Sequence, residues 1–117
     1  MQRHNRLRRG SDFARLRENG RAFNSRWVLV SIIPNGLPHN RYGFITSKQL
    51  GNAITRNRLR RLLREAVRLL HPQLRPGYDV VLIARKSLVK EPFHAVQRIV
   101  KELLHQADVI GIESDEP

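Results

Sequence analysis

The segment from Tyr78 to Ala84, YDVVLIA, constrains the fold more than any other. It is a nearly continuous apolar run, too short for a typical helix and rich in β-branched residues, so it reads as a strand buried on both faces. Two more strands are legible. Trp27 to Ile33 (WVLVSII) and Arg41 to Thr46 (RYGFIT) are β-rich, and the stretch Pro34 to Asn40 between them holds Pro, Asn and Gly, as a turn or hairpin loop does. Because that connection is short, the second strand should run antiparallel to the first. A short edge strand near Arg21 to Asn24 would bring the sheet to four.

Helical signals fill the gaps. Ser11 can cap a short helix through Asn19 that carries Phe13 and Leu16 on one face, with Gly20 as a left-handed stop. Asn52 to His71 is the longest helical pattern, and Pro72 ends it. Pro92 suits the first turn of a last helix, where Phe93, Val96, Ile99, Val100, Leu103, Leu104 and Ala107 recur at helical spacing. Met1 to Gly10 is basic and aperiodic and is expected to be extended or mobile until bound. The expected fold is an α/β (α+β) two-layer sandwich: a small mixed sheet of three to four strands with three helices, in the order α-β-β-(β)-α-β-α. Residues 1–107 should form a single RNA-binding domain, and residues 108–117 an acidic, flexible tail. Base rates make the crossover from Arg41 to Ala84 right-handed.

Charge directs the functional reading. The chain carries 22 Lys plus Arg against 10 Asp plus Glu, and 4 of those acids lie in the last ten residues. Residues 1–107 thus hold 22 basic and 6 acidic side chains, a formal +16. Such a body seeks a polyanion. Of the cations 18 are Arg, whose planar fork grips phosphate and stacks on bases.

The long helix concentrates this signal. On a helical wheel, Leu59, Leu62, Leu63, Ala66, Val67, Leu69 and Leu70 fall on the core side, while Asn57, Arg61, Arg64 and Arg68 form a stripe opposite, flanked by Arg58 and Arg60. Arg56 lies near the core boundary and must reach outward along its stem. Six Arg and one acid, Glu65, occupy this helix, with like charges four apart at Arg60/Arg64 and Arg64/Arg68, and Arg61 with Glu65 as the favourable pair. Solvated faces normally alternate sign, so this pattern indicates contact with nucleic acid. Gly51 permits close approach, the amides after Asn52 can hold an anion, and Lys48 stands beside them.

Other chemistries find little support. There is no cysteine, which excludes thiolate metal sites, disulfides and cysteine nucleophiles. The five His are scattered, the acids of the body are isolated, and no nucleophile motif is present, so neither a catalytic residue nor a metal ligand is expected in the chain itself. No apolar run reaches a membrane span, and MQRHNRLRRG lacks the apolar stretch of a signal peptide, so a cytoplasmic location without membrane contact is expected. No helix-turn-helix or dimer pattern suggests DNA as partner.

The run Thr46-Ser47-Lys48-Gln49, followed by Gly51-Asn52-Ala53-Ile54-Thr55-Arg56-Asn57-Arg58-Leu59-Arg60-Arg61, resembles the signature of the bacterial ribonuclease P protein family. Ser11-Asp12-Phe13 is similar to that family's opening helix, and Gly77 to Arg85 (GYDVVLIAR) to its last strand. The resemblance implies an accessory subunit of an endoribonuclease. Such a subunit binds a catalytic RNA and the 5′ leader of precursor tRNA and assists removal of that leader, while the RNA holds the catalytic centre and its Mg2+. It implies that Arg56, Asn57, Arg58, Arg60 and Arg61 face the catalytic RNA, with Lys48, Asn52, Arg64 and Arg68 on the same surface. The leader would lie between the first helix and the sheet, with Phe13 on its floor and Arg9 and Arg17 beside it. The protein is expected to be a monomer in a 1:1 complex with the RNA. The resemblance also implies a left-handed crossover, against the base rate. The chain departs from the family's usual pattern at Gln49, where a second Lys is common, and at Arg17 and near Ser31, where aromatics are common. Charge and size fit a structural RNA-binding protein of the ribosome equally well, and the fold type is shared.

Overall fold

The computed structural model describes residues 3–7 and 10–111. Three α-helices and four strands follow in the order α1 (Gly10–Asn19), β1 (Arg21–Asn24), β2 (Val28–Pro34), β3 (Arg41–Ile45), α2 (Ala53–Leu70), β4 (Tyr78–Ala84) and α3 (Phe93–Gln106). The sheet order is β1-β2-β4-β3. β4 runs antiparallel to β2 and parallel to β3, so β2 and β3 do run in opposite directions but are not hairpin neighbours. The reason is the apolar character of β4 on both faces. Val80, Leu82 and Ala84 join the main core under α2 and α3, while Val81 and Ile83 pack toward α1. A strand of that kind takes an inner position, and the Pro34–Asn40 connection spans it. The β3-α2-β4 unit is then a crossover between parallel neighbours, in keeping with the left-handed one that the resemblance implied.

Several local expectations change. Gly20 ends α1 without a left-handed backbone, since the positive-φ glycines are Gly36, Gly51 and Gly77. What requires glycine there is crowding: a Cβ would lie 2.5 Å from the Leu16 carbonyl oxygen and 2.7 Å from Ser31 Oγ. Residues 3–7, expected to be mobile or extended, are fixed on the outer side of β3. The Asn5 side chain donates to the Asn40 carbonyl at 2.6 Å, and the Leu7 amide to the Tyr42 carbonyl at 2.8 Å. The packed chain also runs past residue 107. Asp108 turns with φ of 60°, and Ile110 forms an antiparallel bridge with Leu74. Val109 and Ile110 are buried because they are the apolar residues that close the core beneath that bridge. Residues 112–117 of the expected tail lie outside the described residues. On α2 the core face is narrower than the wheel suggests: Leu69 is 40% exposed and Leu62 half-buried.

Among the described residues, one charged side chain is buried within this apolar frame. Asp79 of β4 is fully buried and points to the α1 side of the sheet. Its carboxylate accepts from Arg41 Nε (2.8 Å) and Nη2 (2.7 Å), from Arg15 Nη2 (2.8 Å) and from Asn35 Nδ2 (2.9 Å). Burial pushes its pKa up, but the hydrogen bonds from Arg41 and Asn35 and the arginine charges outweigh it and hold the group below the usual carboxylate range. An acid whose folded pKa is lowered contributes stability above its unfolded value and loses it as the pH falls through the folded one. Asp79→Asn should therefore cost about 3 kcal/mol near neutral pH, the low end for breaking a buried pair because both arginines are partly exposed. Urea denaturation across pH should show that gap narrowing below about pH 4. A gap constant down to about pH 3 would mean the carboxyl is not ionised in the fold.

Candidate nucleic-acid interface

Helix α2 presents the cations. Asn52 caps it by accepting from the Thr55 amide at 2.9 Å. Gly51 precedes it at φ of 140°, a backbone that L side chains avoid, so the turn into the helix depends on glycine. Lys48 opens the short 3-10 turn before it and is exposed. Along the helix, apolar residues at core spacing (Leu59, Leu63, Ala66, Val67 and Leu70) leave the arginines on the remaining arc.

The arginines do not behave alike. Arg61 and Asn57 are exposed, as the stripe requires. Arg60 is held in place, donating to Asn57 Oδ1 at 2.7 Å and to Thr46 Oγ1 at 2.6 Å. Arg64, expected to point away from the core, is half-buried and lies over the Phe44 ring, 6.0 Å from its centroid. Burial, with the charges of Arg6 and Arg60 next, pulls its pKa below the usual guanidinium value. Arg68 takes both oxygens of Glu65 at 2.9 and 2.6 Å, so Glu65 pairs with Arg68 and not with Arg61. The spacing of three lets the Arg68 fork meet the carboxylate with two bonds. Arg58 donates to the Val89 carbonyl at 2.5 Å, on the flank away from β3. Arg56 is half-buried, and its Nε is buried without a hydrogen bond among the described residues. Sequence spacing thus located the face but not the division between held and projecting side chains.

A second feature adjoins it across the edge strand. The Phe13 ring lies directly on Gly43 of β3, where a Cβ would fall 2.7 Å from a ring carbon. On one side of Phe13 a depression of about 260 Å³ is lined by Arg6, Tyr42, Phe44, Arg60 and Arg64. On the other a groove of about 250 Å³ runs between α1 and the sheet over Leu16, Leu29, Ile45, Val81 and Ile83, with Arg17 at its side. Leu29 and Ile83 also line a wider trough of about 680 Å³ that ends at Arg85 and Lys86. Phe13 and Arg17 therefore line the same groove, while Arg9 lies outside the described residues. Arg6, Arg85 and Lys86 were not singled out from sequence. Their only signal there is the absence of acids before Asp12, for Arg6, and between Asp79 and Glu91, for Arg85 and Lys86. Among the described residues no three of His, Asp and Glu gather as a metal site would need.

The sequence model of the family described as Ribonuclease P matches residues 1–108. The ribonuclease P protein component of Chloroflexus aggregans is 43% identical over 118 residues, covering 100% of this chain and 87% of that protein. That of Clostridioides difficile is 38% identical, with 88% and 91% covered. The RNase P protein of Staphylococcus aureus superposes with a TM-score of 0.85 at 28% identity, covering 92% of this chain and 98% of that one. The RNase P protein of Thermotoga maritima does so at 0.78 and 28%, covering 86% and 96%.

Denaturation should separate the two kinds of arginine. Arg61→Ala should leave the unfolding free energy within about 0.5 kcal/mol of the parent, as for a surface residue with no hydrogen bond or ion pair among the described residues. Arg60→Ala should cost about 1 kcal/mol for its hydrogen bonds. Gly43→Ala should cost about 1–3 kcal/mol, because the Phe13 ring has to move off the strand.

Proposed function

The chain belongs to the ribonuclease P protein family, and from that membership we propose that it docks on a catalytic RNA through α2 and holds the 5′ leader of precursor tRNA in the groove beside Phe13. The observation that carries this is the guanidinium-rich arc of α2 lying next to a groove with an aromatic floor and cationic ends. Each part suits a different portion of RNA. Arg56, Asn57, Arg58, Arg60, Arg61, Arg64 and Arg68, with Lys48 and the Asn52 cap, offer fixed and projecting donors to the phosphates of a folded RNA. Phe13 offers a face on which a base of a single strand can stack, and Arg17, with Arg9, offers charge for its backbone.

The chain's work is to bind and orient RNA; the hydrolysis of the phosphodiester falls to the RNA. The described carboxylates do not suit a resident Mg2+, since no three of His, Asp and Glu gather among the described residues, Asp79 is taken up by Arg41, Arg15 and Asn35, and Glu65 by Arg68. We therefore assign the Mg2+ to the RNA–protein complex and derive no step through it from these residues. A monomeric protein, one per RNA, in the cytoplasm and without DNA or membrane as partner, completes the reading. No helix among the described residues is long and apolar enough to cross a membrane. The ribosomal alternative rested on charge, size and fold type, and the family match does not favour it.

Reconstitution tests the proposal. Mixed with the catalytic RNA and precursor tRNA at low Mg2+, the protein should be required for leader cleavage; cleavage indifferent to the protein would refute it. RNA affinity should fall with salt along a log–log slope of about −3.5 to −4.5 if ~5 phosphates are neutralised, and Arg61→Ala should flatten that slope by about 1.

A further inference from the structure

We propose that Asp79 is the positioning anchor of the groove: through Arg15 and Arg41 it fixes where α1 lies on the sheet, and so where Phe13 stands over Gly43. The functional half of this rests on the leader reading above; the geometric half does not.

The need for an anchor follows from how few directional contacts otherwise hold α1 among the described residues. Leu16 is its one buried side chain, packed with Leu7 and Val81. Phe13 packs half-buried beside it, and Ser31 Oγ donates to the Leu16 carbonyl at 3.3 Å near the end of α1. Apolar contact is non-directional, so that single long bond leaves the start of the helix free to slide or lift on the sheet. The charged cluster supplies direction. Arg15 leaves α1 to reach Asp79 Oδ2 at 2.8 Å and the Pro34 carbonyl at 3.3 Å. Arg41 is the cross-strand partner of Asp79 and meets its carboxylate with two bonds, while its Nη2 also reaches Asp12 Oδ1 on α1 at 3.3 Å. Asp12 and Arg15 are thus tied to β3 and β4 on either side of Phe13 in sequence. Gly43 follows Arg41 by two residues, which puts it on the same face of β3 under the Phe13 ring. The carboxylate and the ring are therefore registered to each other through one strand. A buried ion cluster is weak evidence for stability as such, because apolar residues of like volume often serve as well. Its directional bonds provide what apolar packing cannot, a single seat for the helix.

The test uses the full chain, which has no native cysteine. Leu16→Cys introduces one buried thiol beneath α1, and its modification rate by a maleimide reports lifting of that helix. Adding Arg15→Met, which leaves Arg41 to neutralise Asp79, should speed modification about tenfold, the factor for a contact of ~1.4 kcal/mol. Arg15→Lys should restore most of the protection. Asp79→Asn should act in the same direction, and Arg15→Met keeps the test usable if that variant folds poorly. An unchanged thiol rate in Arg15→Met overturns the anchor. In the reconstituted enzyme, Arg15→Met should raise KM about tenfold for a long-leader precursor, with kcat and RNA docking unchanged and little effect on a precursor with a minimal leader. If the thiol is exposed but this KM does not move, the functional half is overturned. If Phe13→Ala also leaves leader dependence intact, it is the leader reading that fails, and the thiol rate still decides whether Asp79 seats the helix.

Discussion

The pairing of β4 with β2 on one side and β3 on the other is the constraint on which the rest of the molecule depends. It makes one strand the wall between two apolar clusters of unequal size. The larger, under α2 and α3, supplies most of the buried surface and gives α2 a rigid bed. The smaller, under α1, contains only a few residues and leaves room for a groove. The same strand thus determines where the molecule is firm and where it is open. The edge position of β3 follows from it as well, and brings Phe44 and Thr46 beside the arginines of α2.

That bed is what lets α2 carry so much like charge. A helix with guanidinium groups four residues apart loses a few tenths of a kcal/mol per pair, which burial of Leu59, Leu63, Val67 and Leu70 at about 1.5–3 kcal/mol each readily offsets. Local arrangements soften the repulsion further: Glu65 chelates Arg68, Phe44 lies under Arg64, and Arg60 is tied to Thr46. The helix remains electrostatically frustrated without a polyanion, and the arc that faces outward is the one where frustration is least relieved.

Much of this was legible in the sequence. Periodicity and punctuation located all three helices and all four strands, because Pro72, Pro92 and the Asn52 cap are strong local signals and YDVVLIA has no other easy reading. The sheet order was not legible from the residues. Nothing local in Pro34 to Asn40 says whether the loop turns tightly or crosses an intervening strand; that depends on β4, more than thirty residues later in the chain. The site divided in the same way. The wheel found the arginine face, since it depends on spacing alone. It could not see that Arg64 bends over Phe44 or that Glu65 chooses Arg68, because those depend on a neighbouring strand and on fork geometry. The groove beside Phe13 came from the resemblance, since a lone Phe on a short helix carries no signal of what lies beneath it, and the glycine that makes room for it is thirty residues away.

The seating of residues 3–7 along β3 has a further consequence. A sheet margin with unpaired amides and carbonyls is a template for strands of other molecules, and β3 is one of the two margins here. The Leu7 amide occupies the Tyr42 carbonyl there, and Arg6 pairs with Tyr42 as a short parallel bridge. The opposite margin, β1, is four residues long and begins with Arg21. One border is thus sealed by the chain's own start, and the other is kept short and charged. A margin that is covered in part or kept short leaves the strands of other molecules less free backbone to pair with.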